Sequence, residues 1–222
     1  MASIKAATIA RTTAVQKSPD RSEAAEPGRM LDLIIAAEHV FLEKGYHAAT
    51  MNDVAKAAGM SKKTVYTLIE SKAELFDALL THHQSLLKFP TPEPGWTIRD
   101  ILIANVTCLA RYLLSPSQIA ILRLIMAEYT HSPDLGRIFH RNRVNKAKLK
   151  LESCFTNLAA THHYPAAQAK EMAAMLFGMA LGEFHIAVLI GYQAPPSKQT
   201  LDKRVRQAVD IFLAGCQGAQ RK

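Results

Sequence analysis

The sequence predicts an all-α protein, with a three-helix N-terminal unit followed by a larger helical one. Three observations carry this. Glycine and proline are sparse inside long stretches. Apolar residues recur at the three- and four-residue spacing of a helix face. No run of alternating β-branched residues is bounded by turns, so no strand is expected. With 222 residues, one large or two small domains fit, at roughly 100–200 residues each.

Residues 1–27 lack apolar periodicity and end in Glu26-Pro27-Gly28. They read as a disordered tail, either a solvated leader or a basic arm (Lys5, Arg11, Lys17, Arg21) for a DNA minor groove. Order is expected from about Arg29. Leu33, Ile34, Ala37, Val40 and Phe41 fall on one helix face, and Gly45 ends that helix as a left-handed cap.

Thr50 to Lys72 is the informative stretch. Thr50 caps a helix over 51–57, with Asp53 three residues on as a capping-box variant. Ala55 is small enough for a close helix crossing, and Gly59 supplies a tight turn. Ser61 caps the next helix, and Val65 packs back between the two. Two short helices joined by a glycine turn make a helix-turn-helix. Ser71 caps a fourth helix, to about Lys88, with Glu74 as its box partner and Leu75, Phe76, Leu79 and Leu80 as its apolar side.

Three prolines and a glycine within 88–96 mark the clearest break in the chain. The expected domains are therefore a helix-turn-helix unit at 28–75 and a second helical unit at 76–218, to which the family resemblance described next assigns effector binding and dimerisation. Helices are predicted over about 97–113, 117–130, 134–160, 165–191 and 198–216. Pro116, Pro133 and Pro165 stand at first-turn positions.

At these residues the sequence resembles the TetR/AcrR family of bacterial repressors, closely from Leu33 to Leu80. Ala36-Ala37 and Phe41 match the family pattern before the first glycine. The remainder is similar, more loosely, to the AefR-like branch, through Leu122–Glu128, Pro133-Asp134-Leu135 and Phe177–Gly182. The resemblance implies a recognition helix over about Lys62–Ile69. It implies base reading by Lys62, Lys63 and Thr67, and phosphate contacts by Thr50, Tyr66 and Lys72. Ser61 and Thr64 complete the candidate DNA-binding set. Leu68 departs from the family's aromatic or His, which removes one phosphate donor.

Charge adds little to this. The formal net charge is +8, yet residues 28–80 carry six Lys/Arg against seven Asp/Glu. The excess lies after residue 80, so the overall basicity is not a DNA footprint.

A helix-turn-helix covers one half-site, so a homodimer on an inverted-repeat operator in double-stranded DNA is expected. Helices 165–191 and 198–216 are the expected interface. Their apolar stripes are Met172, Met175, Leu176, Met179 and Ile186 beside Gly178 and Gly182, and Val205, Ala208, Val209, Phe212, Leu213 and Cys216. The same stripes are also what a helix facing its own core would carry. The resemblance favours the dimer, and it also supplies the repressor sign.

A small hydrophobic or aromatic effector is expected between the helices of the second domain. Candidate lining residues are Trp96, Ile103, Thr107, Met126, Tyr129, Phe139, Phe177 and His185. The basic run from Arg137 to Lys150 spreads around its helix and reads as a solvated face. His82-His83 and His162-His163 are adjacent and point apart, so no metal is expected. Cys108, Cys154 and Cys216 form no motif, which fits a reducing cytoplasm, and no cofactor is implied. No GxSxG, P-loop or HExxH motif occurs, so no enzyme is expected. No window approaches 18 uncharged apolar residues, so no membrane span is expected, and the start lacks the apolar core of a secretory signal.

Overall fold

The computed structural model describes residues 26–144, 152–153, 155–156 and 169–219. Nine α-helices and no strand occur among the described residues. They are α1 (Glu26–Lys44), α2 (Met51–Ala57), α3 (Lys62–Leu68), α4 (Lys72–Ser85), α5 (Ile98–Leu113), α6 (Pro116–Ala127), α7 (Asp134–Phe139), α8 (Ala169–Leu189) and α9 (Lys198–Ala219). A π-helical turn, His140–Val144, continues α7.

Local chemistry sets the ends of the early helices. Gly45 takes φ +81° and its N–H donates to Phe41 O at 3.0 Å, closing α1. Thr50 and Asp53 form a complete capping box on α2. Ser61 Oγ accepts from Thr64 N–H and Ser71 Oγ from Glu74 N–H. Glu74 departs from the expected box, because its Oε2 accepts from Glu70 N–H, one residue before the cap.

Two apolar cores result. The first gathers Leu33, Ala37, Phe41, Val54, Ala55, Val65, Ile69, Leu75 and Phe76. Ala55 and Val65 are 2% and 0% exposed, as a close crossing of α2 and α3 requires. Phe41, Tyr46 and Phe76 form a ring cluster with centroids 5.2–6.1 Å apart. Each such pair is worth about 0.5–1.5 kcal/mol beyond its buried area. This core runs past the proline-rich break and takes in Ile121, Leu124 and Ile125 of α6 and Leu135 of α7.

The second core joins α5, α8 and α9 through Leu102, Val106, Leu176, Leu181, Val205 and Val209, with Phe155 against Phe212. Arg99 holds Asp210 through two bonds, at 2.6 and 3.0 Å, and Arg111 holds Asp202 at 2.8 Å, so α5 and α9 are tied at both ends.

Several expectations change. Glu26 and Pro27, expected in the tail, open α1; the rest of the tail lies outside the described residues. The helix expected over 134–160 is α-helical to Phe139, π-helical over His140–Val144, and α-helical again at 152–153 and 155–156 among the described residues. Pro133 is the cap of α7, not its first residue. Residues 145–151, Cys154, His162, His163 and Pro165 lie outside the described set.

Val205, Ala208, Val209 and Phe212 do not form an outer stripe, because all four are buried in the protomer's own core. Met172 and Leu176 are buried there too. By length and composition alone, α8 is long and apolar enough to cross a membrane. Eight of its residues, from Ala169 to Leu189, pack instead into the protein.

Candidate nucleic-acid interface

The outer face of α3 is set by its inner one. Val65 fills the core, so Lys62, Lys63, Tyr66 and Thr67 point outward, and all four are exposed. Tyr66 is 53% exposed, a large aromatic left in solvent on a helix whose core side is complete. Neither Lys62 nor Lys63 forms an ion pair among the described residues. Thr67 Oγ1 donates back to Lys63 O at 2.9 Å, which holds that hydroxyl on its own helix. Ser61 and Thr64 hydroxyls lie 2.9 Å apart at the first turn.

Thr50 is more constrained. Its N–H and its hydroxyl both donate to Asp53 Oδ2, at 3.0 and 2.7 Å. Lys44 Nζ donates to the other oxygen at 2.8 Å. The bond from Lys44, then those from Thr50, hold the Asp53 carboxyl well below the usual carboxylate range.

Lys72 is committed inside the chain. Its ammonium donates to Tyr46 O, His47 O and Ala49 O at 2.8, 3.1 and 2.9 Å, and lies 4.5 Å from the Tyr46 ring centroid. Three donors meet three carbonyls, so a phosphate contact requires one bond to be released. Burial lowers the Lys72 pKa, and the nearby Glu128 charge opposes that.

Leu68 packs partly into the first core, and Ile69 is buried beside it. Arg29 on α1 shares a cleft of about 210 Å³ with Lys63, Thr64, Thr67 and Leu68. Sequence reasoning gave Arg29 no role, since its position relative to α3 depends on how α1 packs.

The ligand candidates do not gather. Ile103 and Thr107 meet in a groove of about 520 Å³, with Lys88, Pro90, Ala104, Cys108, Arg111, Asp202 and Arg206. Met126 and Tyr129 are exposed near the end of α6. Phe139 packs on the first core and Phe177 on the second. Trp96 is half-buried after the proline-rich segment. His185 is half-buried, and burial lowers its pKa. The Cys108 thiol donates to Lys88 O at 3.1 Å, and burial raises its pKa.

The outward face of α8 carries Met175, Gly178, Gly182 and Ile186, with Ile190 just beyond its end and Ile211 exposed on α9. A Cβ added to Gly178 or Gly182 would meet no atom within 4 Å.

Capped short helices, a crossing of small residues and an outward polar face define a helix-turn-helix regulator of transcription. The profile described as bacterial regulatory proteins, tetR family, matches residues 33–79. That described as AefR-like transcriptional repressor, C-terminal domain, matches residues 100–215. The chain belongs to the tetR family, in its AefR-like branch. It is a DNA-binding regulator and not an enzyme.

The transcriptional activator FasR of Mycolicibacterium smegmatis is 49% identical over 51 residues, 23% of each chain. The uncharacterised regulator YdeS of Bacillus subtilis is 33% identical over 108 residues, 48% of this chain and 53% of that one. The chain thus spans about half, or less, of the curated relatives it matches. The solved structure of the flavonoid-responsive regulator FrrA shares the fold, with a TM-score of 0.72 at 24% identity over 86% of this chain and 97% of that one.

Proposed function

We propose that the chain acts as a homodimeric repressor, bound to an inverted-repeat operator and released by a small apolar or aromatic effector. The observation that carries the reading is the outer face of α3. Lys62, Lys63, Tyr66 and Thr67 are exposed on a helix held by a Ser61 cap and a buried Val65. A lysine there can donate to guanine O6 and N7, while Tyr66, and Thr50 once its hydroxyl turns from Asp53, contact backbone phosphates. Lys72 joins them by giving up one carbonyl. The work is divided between 28–75, which reads DNA, and 76–218, which pairs and senses, in the cytoplasm where the DNA is.

The outward glycines and apolar side chains of α8 support pairing with a second copy. The groove at Ile103 and Thr107 supports the effector step. Lys88, Arg111 and Arg206 outnumber Asp202 there, so an apolar ligand with an acidic group fits best. Ligand and DNA then select different conformations, and the coupling is reciprocal. FasR is named an activator and the matching C-terminal profile a repressor; the repressor sign follows the profile, which covers more of this chain.

The test is selection against random duplex DNA at about 150 mM salt, which suppresses non-specific phosphate binding. The expected product is an inverted repeat with half-sites about one helical turn, roughly 34–36 Å, apart. Lys62→Ala should then cost about 1–3 kcal/mol and relax preference at one base position. Tyr66→Phe should weaken all sequences alike. Unchanged operator affinity in Lys62→Ala would overturn the recognition-helix assignment.

A further inference from the structure

Glu128 ends α6, far in sequence from the helix-turn-helix, yet it is only 8% exposed. Its Oε1 accepts the His47 N–H at 3.2 Å, across 81 residues. The approach is close: a Cβ on Gly45 would lie 2.6 Å from that same oxygen. Gly45 therefore answers two demands, its φ of +81° and room for a carboxylate.

The other side of this turn is held by Lys72, whose ammonium takes the carbonyls of Tyr46, His47 and Ala49. The α1–α2 turn is thus gripped by an anion on an N–H and by a cation on three carbonyls. Thr50, the cap of α2, follows directly. The segment after α6 is gathered onto Glu128 as well: its carbonyl accepts from His131 N–H at 3.1 Å and Ser132 N–H at 2.8 Å. The His131 and His47 rings lie 5.5 Å apart.

Five residues earlier on α6, Arg123 reaches the other way. Its Nε and Nη2 donate to Leu189 O and Val188 O at 2.8 and 2.7 Å, satisfying carbonyls at the end of α8. Between these two contacts Leu124 and Ile125 lie in the first core. One short helix therefore holds α8 by Arg123 and the reading domain by Glu128.

We propose that Glu128 is a positioning residue: its carboxylate clamps the α1–α2 turn and fixes the attitude of the helix-turn-helix relative to α8. The proposal rests on the DNA-binding reading. In a dimer paired through α8, that attitude sets the distance between the two recognition helices. A merely structural Glu128 would change stability but not spacing.

The experiment compares full-length wild type, Glu128→Gln and Glu128→Ala by two readouts. The first is amide exchange at His47. Loss of the acceptor in Glu128→Ala should accelerate it about tenfold relative to α3 amides. Glu128→Gln, whose side-chain carbonyl still accepts, should move it less. The second is binding to three duplexes: the selected operator, the same operator with its half-sites one base pair further apart, and a single half-site. The preference for the selected spacing should fall about fivefold in Glu128→Ala, with half-site affinity unchanged. An unchanged preference in a folded, dimeric Glu128→Ala overturns the proposal, as does an equal loss on the half-site. A wild type without sequence preference defeats the operator reading instead, and the clamp then stands or falls on His47 exchange.

Discussion

The pair α2–α3 on the first core and the helix α8 on the second treat their outer surfaces in opposite ways. Around the first, α2 and α3 bury their apolar side chains and turn lysines, hydroxyls and one tyrosine outward. Around the second, α8 fills its inner side and still leaves Met175 and Ile186 in solvent, with Ile190 exposed just past its end. The first surface suits a polar, charged partner whose backbone is lined with acceptors. The second suits an apolar one, and its open glycines suit a partner whose backbone comes close. A fold can thus be finished locally by caps, or left to be finished by another chain.

The largest expected effect strikes that second surface. Gly182→Arg meets empty space in the protomer, so the folded chain should tolerate it. In a dimer it would place a charge where two backbones approach, and an uncompensated buried charge costs about 3–5 kcal/mol. Sedimentation should show a monomer with near-native helicity, and a persisting dimer would move the interface elsewhere.

Gly45→Ala strikes the first region through the turn. The left-handed backbone alone costs about 1–2 kcal/mol, and the Glu128 contact adds to it. Thermal unfolding should show a smaller loss when Gly45→Ala is made in a Glu128→Ala background. Equal losses in both backgrounds would mean that Glu128 moves aside freely.

Thr50→Ala removes the side chain of the α2 capping box. Caps of this kind contribute about 1 kcal/mol, and denaturant unfolding should lose about that much. Ser61→Ala offers an internal comparison on α3.

The smallest effect is acid sensitivity. The Asp53 pKa is depressed by Lys44 and Thr50. A depressed carboxylate stabilises the fold above its ordinary value, about 4. That contribution is lost as pH falls below it. Asp53→Asn should flatten the acid limb of the stability curve, and an unchanged limb would show the carboxylate to be idle.

The caps at Thr50, Ser61 and Ser71 were legible because each is settled within three residues. Even there Glu74 chose Glu70 over the cap itself, a detail below the resolution of a spacing rule. The crossing of Ala55 and Val65 was legible because two short helices leave it little freedom. The outer faces of α8 and α9 were not. A stripe such as Val205-Ala208-Val209-Phe212 reads the same against its own core as against a second chain. Since α8 is apolar on nearly all sides, its sequence does not say which side faces out. The places that Arg29, Lys72 and Glu128 take in the fold were not legible, for one reason. Arg29 meets α3 in a cleft, Lys72 and Glu128 bond the turn between α1 and α2, and no local pattern announces an acceptor 81 residues away.

If two copies pair over the apolar edge of α8, as proposed, the amount of protein becomes a variable in its own folding equilibrium. Once two copies cover Met175 and Ile186, association adds to the stability of each. A partner at a hundred times its dissociation constant adds about 2.7 kcal/mol, and dilution takes that away. The melting temperature should therefore climb with protein concentration, and a cell holding only a few copies would keep a softer regulator than one holding many.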